Sequence, residues 1–475
     1  MLFKHSAQYF LARLVPAIVT LMALAIYTRL LSPAEYGSYS LTIVVAMGLN
    51  AIVFQWINLA LGRFLPECES PELRNHWIST AVYVWFFLAL LIIALAISLP
   101  LHSWLDQFAI IFWLLGILAA AQAWFELAQR FDNIALRPLR YGMASLIKSL
   151  LALCFGFLAL SVEAGVTGVL LTLALALFLS SFIQREDWSV AKLINIDFNV
   201  LRQMLVYGFP LTLAFLMTFI IDVCGRLFLN LYAGVDAVGL FSAAYEFVQY
   251  IVGTLLAVVH LAAFPLLVRL LRDGDRERIT QQLMFNFELV IAIAAAVCLG
   301  LVLCREEISG LIFGSEFRAG AITIIPLIAL ALFLSVLKSY YFDYAFQLGK
   351  NTLLQLVTVI LGALMTVASC AFFVPHFGLV GAAIASCVGF ASALLASAII
   401  GLKVFPMPRL NIVAIGKIGF ASLCMSLLLS LVPELPGLYS LLVKVTLGAV
   451  IYVGVLILTN YMQLRRLIKD RYFAK

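Results

Sequence analysis

Nine charged or amide side chains stand within or at the edge of stretches otherwise suited to hydrocarbon. They are the cations Arg29, Lys148, Arg226 and Lys338, the acids Asp222, Glu126, Asp343 and Glu246, and Gln249. A charge at bilayer depth costs about 2.5–3.5 kcal/mol on insertion scales, so such residues face a protein interior or a wet cavity. Cations there can replace water around an anionic group such as a phosphate. Carboxylates there can pair with the cations, bind a coupling ion or line a gate. Asp222 and Arg226 lie four residues apart in the apolar run from Tyr207 to Tyr232, which puts them on one helix face.

Each of these has a plainer alternative. Arg29 and Lys148 can snorkel to an interface. Arg226 and Asp222 can form a structural ion pair. Glu126 and Asp343 can pair with arginines near the membrane surface such as Arg130. Glu246 and Gln249 can make interhelical hydrogen bonds rather than touch a polar substrate or carry a proton. Lys338 reads as cavity-facing, whereas Lys444 reads as a lipid-headgroup contact. Trp56, Tyr83, Trp85, Trp124, Tyr245, Tyr340 and Tyr341 are of the type that stacks on sugar rings, although such residues also serve as interfacial belts and packing.

The elements that must position these residues are helices in lipid. Of the 475 residues, 64% are hydrophobic and 11% charged, against about 25% charged in a soluble domain. The fold class is therefore an all-α polytopic membrane protein. Fourteen apolar segments have spanning length, near 10–31, 38–61, 77–99, 108–129, 141–160, 164–184, 205–231, 238–266, 285–304, 319–346, 352–374, 378–401, 412–432 and 438–460. The first is read as a retained helix and not as a cleaved signal, because no A-x-A site follows it.

An even count puts both ends on one side. Nearly all connection arginines and lysines fall on that side, including Arg63, Arg74, Arg137, Arg140, Arg276, Arg278 and the run from Arg465 to Lys475. The opposite side holds Arg29, Arg305 and Arg318. The positive-inside rule then puts both termini in the cytoplasm. The net charge of +6 belongs to this bias and does not point to nucleic acid.

The chain also repeats itself. Gly37-Ser-Tyr39-Ser40 matches Gly239-Leu-Phe241-Ser242, Trp124-Phe125-Glu126 matches Tyr341-Phe342-Asp343, and Gly165-Val-Thr-Gly168 matches Gly378-Leu-Val-Gly381, in the same order at similar offsets. Six segments per half give the halves one topology, a parallel repeat about the membrane normal. The organisation expected is a first lobe at 1–184, an amphipathic interfacial linker at 185–204, a second lobe at 205–401, and two additional helices with a basic tail at 402–475.

Several chemistries find no support. The eight cysteines are scattered without a C-x-x-C, there is no G-x-x-x-x-G-K-[ST] for ATP phosphates and no H-E-x-x-H, and the five histidines are dispersed. No catalytic set, metal site or bound cofactor is expected, and coupling to a proton or sodium gradient is left open.

The stretch YTRLLSPAEYGSYS (Tyr27 to Ser40) resembles the first hairpin of bacterial polysaccharide flippases, the O-antigen and exopolysaccharide exporters of the multidrug/oligosaccharidyl-lipid/polysaccharide superfamily. YGFPL at Tyr207, VGLFSAAYEF at Val238, LIFGSEF at Leu311, QLGKN at Gln347 and PHFGLVGAA at Pro375 agree with it, so the likeness runs through almost the whole chain. The resemblance implies two six-helix lobes in a V around a central cavity, plus two C-terminal helices. It implies a substrate of undecaprenyl-pyrophosphate-linked oligosaccharide turned from the cytoplasmic to the periplasmic leaflet of the inner membrane. Family members often carry Asp-Arg near the end of the seventh span; here Gly225-Arg226 stands there, with the acid one turn earlier at Asp222.

Substrate binding is accordingly assigned to Arg29, Lys148, Arg226 and Lys338, and coupling or gating to Asp222, Glu126, Asp343, Glu246 and Gln249. Membrane lipids, a polysaccharide polymerase and a chain-length regulator are the further expected partners. The alternatives are a lipid II flippase or ion-coupled drug antiporter of the same superfamily, and a membrane polymerase or glycosyltransferase of the same pathway. The last would need a sizeable outer loop or a carboxylate-rich cytoplasmic loop, and the sequence has neither.

Overall fold

A computed structural model describes residues 2–98, 109–273, 275–349, 351–433 and 437–463. The basic tail from Arg465 to Lys475, Lys350 and the predicted turn near residue 100 lie outside the described residues. Among the described residues there are helices and turns but no strand. In lipid a spanning backbone must satisfy its own polar groups, and helices do so within one segment.

The first unit, Met1–Val223, contains α1 (Leu2–Leu30), α2 (Pro33–Val53), α3 (Gln55–Phe64), α4 (Pro71–Ser98), α5 (Ala109–Ile134), α6 (Pro138–Ser161), α7 (Gly165–Ser180), the short α8 (Arg185–Trp188) and most of α9 (Phe198–Tyr232). The second unit, Cys224–Lys475, contains the rest of α9, then α10 (Val235–Asp273), α11 (Arg276–Leu303), α12 (Arg305–Ile312), α13 (Ser315–Leu337), α14 (Tyr344–Leu348), α15 (Thr352–Val404), α16 (Ile412–Ser430) and α17 (Gly437–Leu458).

Eleven helices among the described residues are long and apolar enough to cross a membrane. One of them, Leu353–Val404, takes in two predicted segments, and Leu14–Leu30 is a shorter apolar helix. The segment predicted at 108–129 falls on α5, which is not among the eleven. The chain is a multi-pass membrane protein.

Local sequence explains the breaks. Ser32 and Glu35 form a reciprocal capping box at the start of α2, with Ser32 N–H donating to Glu35 at 2.8 Å and Glu35 N–H to Ser32 Oγ at 3.3 Å. Glu35 is thus a capping residue. The two glycines that open the third repeat match both hold a positive φ: Gly165 has φ 61° and Gly378 φ 51°. Both are left-handed positions that disfavour a side chain. At Gly378, three residues after Pro375, α15 kinks, at the join predicted between two segments.

In the first unit, Trp77, Trp124, Phe131 and Met204 belong to one buried cluster, and Leu118, Phe125 and Leu177 to another. Residues 185–204 are tied to this unit. His76 Nδ1 lies 2.8 Å from Asn195 O, and Lys192 N–H and Asp197 N–H donate to Ser79 and Thr80 hydroxyls, each at 3.1 Å. Gln184 donates to buried Asp132 at 2.7 Å, and Arg137 and Arg140 reach Asp187 at 3.2 and 3.4 Å. Ile194 and Phe198 remain 87% and 81% exposed, as an amphipathic segment lying on a membrane surface would.

In the second unit, α16 and α17 dock on α11. Tyr452 and Tyr461 hydroxyls donate to the Ala292 and Glu288 carbonyls at 2.9 and 2.7 Å. Lys444 of α17 forms an ion pair with Glu307 of α12. That corrects the expected headgroup role of Lys444: a lysine this enclosed gains more from a carboxylate than from reaching the interface.

Candidate functional site

An enclosed charge pair arises where α13 gives way to a π-helical turn, Lys338–Phe342. Asp343 N–H donates to the Lys338 carbonyl at 2.9 Å, a bond spanning five residues. The wider π turn stacks positions that an α-helix would separate, and Lys338 Nζ meets Asp343 Oδ2 at 2.7 Å. Helix α15 completes the shell. Gln355 Nε2 donates to Asp343 Oδ2 at 3.2 Å, Ser397 Oγ donates to Oδ1 at 2.9 Å, and Thr358 Oγ1 stands 3.0 Å from Ser397 Oγ. Lys338 is 7% exposed and Asp343 4%. The carboxylate thus has three donors in a low-dielectric site, where satisfied polar networks fix geometry. Asp343 takes its charge partner from its own turn rather than from a surface arginine.

Glu126, the repeat counterpart of Asp343, sits on α5, an unbroken α-helix. Its Oε2 accepts from Asn50 Nδ2 at 3.1 Å and its Oε1 from Gln122 Nε2 at 2.8 Å. The charges of Lys148 on α6 and Arg130 on α5 act on it. Lys148 Nζ also lies 5.7 Å from the Phe125 ring centroid. Where Asp343 takes its cation from its own turn, Glu126 has Arg130 one turn on along α5 and Lys148 on a neighbouring helix. Arg130 Nε and Asn50 Oδ1 beside it are buried without a hydrogen-bond partner among the described residues.

Arg226 is buried, at 4% exposure, and α10 supplies its surroundings. Its Nε donates to Ser242 Oγ at 3.0 Å, the Tyr245 ring lies 4.9 Å away, and Glu246 Oε1 is 3.8 Å from a guanidinium nitrogen. The structure therefore brings two expected site residues, Arg226 and Glu246, together. Asp222 is half-buried one turn earlier on α9. Arg29 is exposed in the last turn of α1, where Nη1 donates to the Ala25 carbonyl at 2.6 Å and complements the helix C-terminus. Gln249 is exposed, one turn beyond half-buried Glu246.

Sequence reasoning missed Gln355, Thr358, Ser397, Asn50 and Gln122, whose ordinary polarity carries no signal until they meet a carboxylate. It also passed over His260, an in-span histidine 2.7 Å from the Tyr344 hydroxyl and stacked on Tyr340 at 5.0 Å. Of the aromatics weighed for sugar stacking, Trp56 donates to the Val53 carbonyl at 2.7 Å, and Tyr341 packs on Phe287 at 4.7 Å.

The fold has solved counterparts. A structure titled as lipid II flippase MurJ in an inward closed conformation shares 16% identity, with a TM-score of 0.79 over 97% of this chain and 99% of that one. An outward-facing multidrug resistance transporter of the MATE family, in the MOP superfamily, has 13% identity and a TM-score of 0.60 over 85% and 94%. A MOP superfamily transporter from Pyrococcus furiosus has 14% identity and a TM-score of 0.61 over the same shares. No curated protein matches the sequence. The family model described as polysaccharide biosynthesis protein matches residues 26–321, more than half of the chain. On that match, with a fold shared by MOP superfamily transporters, the chain belongs to the polysaccharide biosynthesis protein family.

Proposed function

We propose that the protein is a flippase. Its substrate is an undecaprenyl-pyrophosphate-linked oligosaccharide repeat unit, moved by alternating access from the cytoplasmic to the periplasmic leaflet of a bacterial inner membrane. Both termini lie in the cytoplasm. The observation that carries this is the burial of Arg226, Lys338 and Asp343 inside apolar helices of a polysaccharide biosynthesis family member. Charges kept in such places at a cost serve a path for polar cargo.

Arg226 is the leading contact for the pyrophosphate, since a guanidinium offers several donors in a planar fork that matches phosphate oxygens. Lys148 and Arg29 are further cationic contacts. Lys338 is assigned differently from the sequence expectation: with its ammonium committed to Asp343, it belongs with Asp343, Glu126, Glu246, Asp222 and Gln249 in coupling or gating. A carboxylate that can exchange an ammonium for a proton or sodium ion suits a gradient-driven step. A polysaccharide polymerase and a chain-length regulator would act on the product.

Deletion of the gene tests this. Unpolymerised, lipid-linked repeat units should accumulate on the cytoplasmic leaflet and surface polysaccharide should fall; unchanged polysaccharide overturns the proposal. The likeness to MurJ favours a second reading, transport of lipid II. In that case the accumulated lipid would carry the peptidoglycan precursor instead.

A further inference from the structure

A groove of about 1010 Å³ runs along the first unit between α4, α5, α7 and α8. Its walls are apolar for most of their length, ending at Ile93, Ile117 and Leu171. At the other end three tryptophans gather: Trp85 and Trp124 lie 4.5 Å apart by ring centroid, and Trp124 and Trp188 5.3 Å. Arg185 stands at this end beside Trp188.

Three features mark the groove as a site and not merely lipid-facing relief. Trp85, Trp124 and Trp188 present a cluster of aromatic rings at that end. Amphipathic indole rings are favoured where hydrocarbon meets the headgroup region. Arg185 is exposed and has no ion-pair partner among the described residues, while the adjacent acids Glu186 and Asp187 are engaged by Arg140 and Arg137. The groove thus offers a cation at one end, aromatic rings next, and hydrocarbon beyond. Its length also fits: Val82 to Ile93 rises about 16 Å along α4 at ~1.5 Å per residue, about half of a ~30 Å hydrocarbon core.

We infer that the groove binds one anionic phospholipid from the leaflet on the linker side. Its phosphate lies at Arg185, its glycerol region packs against the rings of Trp85, Trp124 and Trp188, and an acyl chain runs to Ile117 and Leu171. The single-leaflet length favours a phospholipid over a longer polyprenyl carrier. The basic end favours an anionic headgroup, since one arginine near an anionic surface is worth about fivefold in affinity. This inference does not depend on the transport activity.

The full-length protein, reconstituted in phosphatidylcholine vesicles, tests it by tryptophan quenching. Phosphatidylglycerol brominated on its acyl chains should quench at about fivefold lower mole fraction than brominated phosphatidylcholine. Trp124→Phe should remove much of the quenchable signal. Arg185→Ala, at an exposed position that folding should tolerate, should bring the two lipids level. Equal quenching by both lipids in the unaltered protein overturns the inference, as does a preference that survives Arg185→Ala. If undecaprenyl phosphate at equal mole fraction displaces the brominated phosphatidylglycerol, the groove belongs to the lipid carrier and the inference is likewise overturned.

Discussion

Replacing Lys338 by Met and Asp343 by Leu, singly and together, probes the enclosed pair of the second unit. The Nζ to Oδ2 distance is 2.7 Å, with the side chains 9% and 5% exposed. Removing one partner of a buried pair leaves an uncompensated charge and costs about 3–5 kcal/mol, whereas replacing both with apolar groups of similar size is often near neutral. Lys338→Met should fall at the low end of that range, because Gln355 and Ser397 still donate to the carboxylate. Asp343→Leu should fall at the high end, because it strands an ammonium and leaves the Gln355 and Ser397 donors without their acceptor. The double variant should recover most of either loss, giving an interaction energy of about 3 kcal/mol or more, well beyond the ~0.5 kcal/mol within which independent sites add. Equilibrium unfolding in mixed micelles, followed by helix content, measures the cycle. Additive single effects would refute the reasoning from which the pair was assigned. Transport separates structure from function: if the pair serves coupling, the double variant should be stable yet inactive.

Other perturbations have equally definite outcomes. Arg226→Ala should abolish export while the protein remains inserted, and Arg226→Lys should restore little of it, because a lysine cannot reproduce the planar fork; surface polysaccharide and membrane abundance measure both. Gly165→Ala and Gly378→Ala should each cost about 1–2 kcal/mol from backbone strain alone, since no atom lies within 4 Å of a Cβ built at either; a loss under a few tenths contradicts the left-handed assignment. Burial opposes ionisation of Glu307, but hydrogen bonds from Lys444 and Ser440 outweigh it and hold the carboxyl below its usual range. Its stabilisation is therefore fully present above the ordinary glutamate value of about 4.3 and is lost as pH falls through the lowered folded value. The stability advantage over Glu307→Gln should be constant near neutrality and vanish in acid; an advantage that persists in strong acid would contradict the ion pair.

The fold was legible because lipid enforces a simple grammar: long apolar runs, turns at Gly and Pro, and costly charges that stand out. The Gly165 and Gly378 motifs announced two turns that both hold glycine at positive φ. The pairing of Lys338 with Asp343 was not legible, although both residues were singled out. Five residues apart in an α-helix they lie about 140° apart round the axis, and only the π turn, which no local sequence rule announces, brings them together. Arg226 was weighed with Asp222 because four residues is the helical contact spacing; Ser242, Tyr245 and Glu246, which also reach it, come from another helix and were not legible. Lys444 was assigned to lipid headgroups for the same reason: its partner, Glu307, is distant in sequence.

The most direct test of the proposed function uses purified protein in vesicles containing the lipid-linked repeat unit. The fraction of glycan open to an externally added sugar-modifying enzyme is followed over time. With protein present, that fraction should rise from about half toward completion, and Arg226→Ala should leave it at about half. A fraction unmoved by the unaltered protein, with or without an imposed proton or sodium gradient, would contradict the assignment as a flippase.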